Sequence, residues 1–293
     1  MCSPRIMSEV YERIGRRANV SRRALFGVLG GAAVGATLAP ALAARAYATP
    51  ADATSIVDLT HVLTPQFPVW PGSRQFEMHT VASITTGNGS TGSLGPIGGS
   101  AFYLNELRYE EHTGTHVDAP AHASVDGITV EQIPAADLIA PIAVVDIAAR
   151  AATDNDTLLT RQDLLEWEER HGRLSSRCIV AMHSGWESRV AAPGAFTNQD
   201  ALGVQHTPGF APEAVDFLVH ERDIVAIGSD TLSIDAGRST TYGAHLAALG
   251  AGKYGIEVLA NLSTIPASGA TCMVGAPTHA GGSGGPARVL ALF

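Results

Sequence analysis

The sequence predicts an α/β fold in a single domain, on three observations. Short apolar runs rich in Val and Ile recur along the chain, helical patterns with recognisable ends fall between some of them, and no linker divides residues 49–293. Strands alternating with helices define the α/β class. The runs Ser55–Leu59, Ile142–Ile147, Cys178–Met182, Ile224–Ile227, Ile256–Leu262 and Arg288–Phe293 read as buried strands. Thr160 can cap a helix over Gln162–Arg170 that ends near Gly172. Pro212 suits the first turn of a helix over Pro212–Glu221. A third helix covers Thr241–Leu249 and stops at Gly250 and Gly252. The Gly-, Ser- and Thr-crowded stretch Thr85–Ser100 reads as a mobile loop. About 245 residues, in a chain that is 45% hydrophobic, suffice for one large core.

The first 48 residues read as an export signal rather than as part of the fold. Arg5, Arg13, Arg16, Arg17, Arg22 and Arg23 precede a Gly/Ala-rich apolar run from Ala24 to Ala44. Ser21-Arg22-Arg23-Ala24-Leu25-Phe26 has the twin-arginine pattern, and Ala46-Tyr47-Ala48 offers a small-residue cleavage site. The alternative is a membrane anchor, since the apolar run has about the length of one span; its glycines keep it only weakly hydrophobic. Removal predicts an extracytoplasmic protein with no stable membrane insertion. The mature chain would keep 12 basic and 26 acidic residues, a net charge near −14. Such a surface repels nucleic acid and anionic lipid. Cys2 leaves with the signal, and Cys178 and Cys272 have neither metal nor catalytic spacing; an oxidising compartment permits a bridge between them but the spacing does not indicate one.

The most chemically informative segment is His112-Thr-Gly-Thr-His116-Val-Asp118-Ala-Pro-Ala-His122. Three imidazoles and a carboxylate within eleven residues are donors that a borderline divalent metal prefers. Gly114 and Pro120 make an uninterrupted helix untenable, so a bent strand-to-loop segment would bring the donors to one point. A His-rich surface loop is the plainer alternative. His245 falls on the third helix, and Glu257 opens the strand Ile256–Leu262. A carboxylate inside an apolar strand needs a partner, which a metal would supply; His245 alone could equally be an ordinary helix-surface histidine.

These residues resemble those of the metal-dependent cyclase/hydrolase family that includes bacterial kynurenine formamidase and isatin hydrolase. The resemblance covers about residues 55–293, and the His-x-Gly-Thr-His-x-Asp-x-Pro-x-His signature is complete at His112 to His122. Asp58–His61, Pro68–Gly72, Ser184–Trp186, Pro208–Phe210, Asp230–Asp235, His245 to Glu257 with Asn261-Leu262, and Gly284–Arg288 also look like the family. The resemblance implies a central mixed β-sheet or barrel-like core flanked by helices, the swivelling fold of that family. It implies that His112, His116 and Asp118 hold a first metal, and that Asp118 and Glu257 bridge to a second that His245 completes. It makes His122 the proton donor and acceptor and Trp70 a wall of the substrate pocket. Two zinc ions are the expectation, with one manganese ion as the alternative. A homodimer or homotetramer is implied as well.

The implied reaction is hydrolysis of a carbonyl–nitrogen bond in a formamide, amide or lactam by hydroxide held on the metal, with His122 shuttling the proton. Trp70 and Trp186 could stack on an aromatic small molecule, core packing being the alternative for both. Lactone hydrolysis, cyclisation or dehydration at the same metal site remains open, as does a non-catalytic exported metal- or ligand-binding protein. Gly281-Gly-Ser283-Gly-Gly285 formally matches a serine nucleophile elbow. It lies between Pro277 and Pro286 with no helix pattern after it, which argues against that role.

Overall fold

The computed structural model describes residues 55–83 and 103–293. The expected signal and the Thr85–Ser100 loop lie outside the described residues. The strands, in chain order, are β1 (Ile56–Asp58), β2 (Glu77–Ala82), β3 (Leu104–Arg108), β4 (His116–Asp118), β5 (Ile139–Asp146), β6 (Leu158–Leu159), β7 (Ile179–His183), β8 (Gly209–Phe210), β9 (Ala226–Ser229), β10 (Tyr254–Glu257), β11 (Ala270–Gly275), β12 (Gly284–Pro286) and β13 (Arg288–Leu292).

Among the described residues, nine of them form one curled mixed sheet in the order β1-β13-β11-β5-β7-β9-β10-β4-β12. Its centre, β5-β7-β9-β10, is parallel. Antiparallel wings flank it, β11-β13-β1 on one side and β4-β12 on the other. A bridge between Thr60 and Leu259 ties the end of β1 to the chain leaving β10. This is the mixed, barrel-like core flanked by helices that the resemblance implies.

Alternation along the central strands explains the two cores. Ile142, Val144, Ile179, Ala181 and Ala226 face inward, where they meet Val117, Ile256, Cys272, Val289 and Ala291 from the wings of the same sheet. Ala143, Val145, Val180, Met182 and Ile227 point the other way and are covered by the helices. The helix Arg161–His171 sets Leu164 and Trp167 on that face. The Thr160 hydroxyl caps it, and Gly172 ends it with a positive φ, as the sequence predicts. The helix at Pro212 runs regularly only to Phe217 and continues as a wider turn through Leu218–Arg222. The third helix is Gly243–Gly250. Cys178 and Cys272 are free thiols, and burial pushes both up to about 12.

One strand boundary departs from the sequence reading. Glu257 does not open a strand over Ile256–Leu262; it closes β10, and Val258 turns out of the sheet at φ +58°. A β-branched residue in that region is strained. Two bonds hold it there: its N–H donates to the Thr231 carbonyl, and its own carbonyl accepts from the Thr115 hydroxyl at 2.6 Å. The apolar run continues past Glu257 because Leu259 and Leu262 are packed in the inner core beyond the turn.

Candidate metal centre

The carboxyl ends of parallel strands are where α/β sheets place their ligands. Glu257 ends β10, and the antiparallel β4 starts beside it, with Glu257 paired to His116 and Gly255 paired to Asp118. Directly paired residues project to the same face, as do residues two apart on one strand. Strand pairing alone therefore gathers His116, Asp118 and Glu257. On the other side of β4, Gly284 of β12 is paired to Asp118. Asp118 is thus flanked in register by two glycines. A Cβ on Gly255 would stand 3.0 Å from Asp118 Oδ2; one on Gly284 would stand 2.8 Å from His112 Cε1 and collide with the Val117 carbonyl oxygen. The missing side chains make room for the carboxylate and the imidazole.

His112 precedes β4 across a turn in which Gly114 has φ +66°. Its Nδ1 lies 2.6 Å from Asp118 Oδ1. His116 Nδ1 donates to the Gly114 carbonyl at 2.8 Å, which leaves Nε2 facing the centre. His245, on the helix Gly243–Gly250, is held by Asp235. That carboxylate accepts from the backbone N–H groups of Ala244 and His245 at the helix start and from His245 Nδ1 at 2.7 Å. Glu257 Oε1 also accepts from the Ile234 N–H at 2.9 Å. His116, Asp118, His245 and Glu257 are all buried.

The donor atoms fit a divalent cation. His116 Nε2 is 3.2 Å from Asp118 Oδ1 and 3.3 Å from Glu257 Oε2; His245 Nε2 is 3.3 Å from Glu257 Oε1 and 3.7 Å from Asp118 Oδ2. Ligands about 2.1 Å from a tetrahedral metal stand about 3.4 Å from one another. His116 Nε2 and Asp118 Oδ2 are buried without a hydrogen-bond partner among the described residues, a costly state that a metal relieves. The donors fall into two sets, His112–Asp118–His122 and His116–Asp118–Glu257, that share Asp118.

Without a metal the carboxylates hold protons on the imidazoles. Burial works against it, but the Asp118 charge and the nearby Glu257 carboxylate raise His116 to about 10. Burial likewise opposes the pull of the Asp118, Asp235 and Glu257 carboxylates, which takes His245 to about 12. Asp118 is held well below the usual carboxylate range, its burial outweighed chiefly by the His116 charge beside it.

His122 ends the single turn Pro120–His122 and opens onto the cavity. Its ring stacks 3.8 Å from that of His112 and stands 5.8 Å from that of His245. It takes no side-chain hydrogen-bond partner among the described residues. Partial desolvation holds it below the ordinary histidine value, outweighing the pull of Asp118. The cavity, about 560 Å³, is walled by Trp70, Leu232, Tyr242, Leu246 and Val258, with His112, His116, His122, His245 and Glu257 at one side.

The structure thus brings together the six residues predicted around the metal and places Trp70 on the cavity wall. It does not bring Trp186 there. Trp186 is 1% exposed, packs with Phe67 and Phe196, and donates its indole N–H to the Phe196 carbonyl at 2.8 Å. Asp235 escaped the sequence reading as a functional residue. It stands six residues before the predicted helix start at Thr241, too far for a local capping signal, and meets the helix only through the fold of the intervening chain.

Such a donor set beside a half-open, largely apolar cavity suits a metal-dependent hydrolase. The Cyclase family model matches residues 57–236, and the chain belongs to that family. It is 33% identical over 246 residues to the isatin hydrolase of Roseibium aggregatum, an alignment spanning 81% of this chain and 91% of that protein. It is 26% identical over 212 residues to the kynurenine formamidase of Salinibacter ruber, spanning 72% and 85%. Isatin hydrolase A of Labrenzia aggregata, solved bound to benzyl benzoate, superposes with a TM-score of 0.72 at 36% identity, covering 81% of this chain and 93% of that one.

Proposed function

We propose that the chain hydrolyses a carbonyl–nitrogen bond in an aromatic formamide, amide or lactam. The convergence of His112, His116, His245 and Glu257 around the buried Asp118, at one edge of the apolar cavity, carries this reading. Its support in kind comes from relatives named for the hydrolysis of isatin and of a formamide. A bound divalent cation supplies Lewis acidity, polarising the carbonyl and lowering the pKa of water. We favour two zinc ions, which His112, His116, Asp118, His245 and Glu257 would hold, one manganese ion being the alternative.

The remaining chemistry belongs to the protein. Trp70, Leu232 and Val258 receive a flat apolar ring and exclude water from its faces. His122, unbound by hydrogen bonds and depressed in pKa, is neutral near pH 7. It takes the proton of the attacking water at an open ring nitrogen and returns it to the departing nitrogen of the substrate. His116 and His245 are unsuited to that task because Gly114 and Asp235 fix them.

The test is metal analysis of the purified protein joined to hydrolysis assays on isatin and N-formylkynurenine. Turnover is expected with bound metal and is expected to vanish on chelation; activity that survives complete metal removal sinks the reading. We further propose that residues 1–48 direct export by the twin-arginine route and are then removed. Intact-mass analysis of extracytoplasmic protein tests this, and an unprocessed chain overturns it. A dimer or tetramer is proposed for the active form and is checked by light scattering.

A further inference from the structure

Ser283 sits in the glycine-rich loop that superficially resembles a nucleophile elbow, yet both of its hydrogen-bonding directions are already engaged. Its Oγ lies 2.6 Å from Glu111 Oε2 and 2.9 Å from His112 Nε2. A carboxylate only accepts. The hydroxyl proton therefore goes to Glu111, and the oxygen accepts from His112 Nε2–H. Glu111 is itself anchored: its other oxygen meets His279 Nε2 at 2.7 Å, and Oε2 also takes the Ser283 N–H at 3.3 Å. The loop is fixed further by Gly281, whose N–H donates to Glu131.

With its proton on Nε2, His112 turns the Nδ1 lone pair toward Asp118 Oδ1 at 2.6 Å. Two acceptors that close repel unless a cation stands between them. His116 and His245 are held the opposite way, with Nδ1–H bonded outward and Nε2 inward. We propose that Ser283 and Glu111 are positioning residues that select the His112 tautomer, committing Nδ1 rather than Nε2 to the metal centre. Gly284 completes the device, since any side chain there would strike the His112 ring. Partners outside the ligand shell commonly set ligand tautomer and affinity in this way. The inference rests on the metal-centre reading above.

It is tested on the full chain with zinc. Ser283→Ala removes the acceptor, and Glu111→Gln supplies an amide donor that lets Ser283 direct its own proton at His112 Nε2. Both variants are expected to lose about 10- to 100-fold in zinc affinity, measured by competition with a chromophoric chelator. The direct readout is the 15N spectrum of histidine-labelled, zinc-loaded wild type, where His112 is expected to carry its proton on Nε2. A proton on Nδ1 overturns the inference, as does wild-type affinity in either variant while wild type binds zinc normally. If wild type itself takes up no zinc, the metal reading fails and this inference falls with it.

Discussion

Metal affinity must climb steeply with pH, because a cation has to displace protons that the carboxylates hold in place. In the metal-free protein His116 is raised to about 10 and His245 to about 12, so both are charged near neutrality. Their Nε2 atoms can ligate only after deprotonation. Groups raised in this way keep their proton through neutral pH and release it as pH climbs through the folded-state value. Each displaced proton contributes about tenfold in affinity per pH unit, or about 1.36 kcal/mol. Two imidazoles then give at least two decades per unit, so zinc binding should tighten about 10⁴-fold between about pH 6.5 and 8.5. Chelator competition across that range gives the slope, and calorimetry in buffers of different ionisation heat counts the protons released. A slope of one or less, or fewer than one proton per loaded site, would refute the argument that Asp118 and Glu257 protonate these histidines. Thermal melts provide a second check. Metal at about 100 times its dissociation constant adds about 2.7 kcal/mol, so chelation should lower Tm by about 5–11 °C.

Other expectations address single contacts. Trp70→Ala should raise KM about tenfold through the lost ring contact, whereas Trp186→Phe should leave KM unchanged and lower stability by about 2 kcal/mol by orphaning the Phe196 carbonyl; steady-state kinetics and denaturant melts separate the two. Glu168 receives Arg222 Nε at 2.6 Å and Nη2 at 2.7 Å in a nearly buried pair, so Glu168→Ala should cost about 3 kcal/mol in urea unfolding. Arg222 lowers the Glu168 pKa, so that contribution is present above the unfolded carboxyl value of about 4.3 and fades as pH falls through the folded one. His206 is raised by its bond to Asp156 and by Asp200, so its hold on the Asn198–Thr207 loop is complete below about pH 6.5 and is released as pH rises through the folded value. Hydrogen exchange of those amides should accelerate across that transition beyond the intrinsic rate, and unchanged protection would contradict it.

The parts legible in the sequence were those with strong local signals. The helix after Thr160 declares its hydroxyl cap and its terminal glycine. The parallel strands are continuous apolar runs because the inner core and the helices bury them on both faces. The ligand cluster was legible because three imidazoles and a carboxylate fall within eleven residues, and the fold sets His116 and Asp118 two apart on β4. The β2–β3 ribbon was not, since Glu77, His79, Glu106 and Arg108 are polar and the strand pair stands largely exposed. Strand β12 is Gly-Gly-Pro, a composition that reads as a loop and becomes a strand only because β4 pairs with it. The burial of Trp186 could not be read either, since an apolar aromatic looks the same beside a cavity or inside a core.

The division of labour at the centre has an evolutionary consequence. Most metal donors ride on β4, β10 and the turn before β4, whose pairing cannot slip by one residue without turning Val117 toward the cavity and Asp118 into the apolar core. The cavity wall comes mainly from elsewhere, from Pro68–Trp70, Leu232 and Tyr242, none of which sets that register. Substrate preference can therefore drift by substitution in these segments while the reactive centre stays intact. The helix Gly243–Gly250 carries both duties, with His245 beside Leu246, as does the turn out of β10, with Glu257 beside Val258, and there a change of taste would put the chemistry at risk.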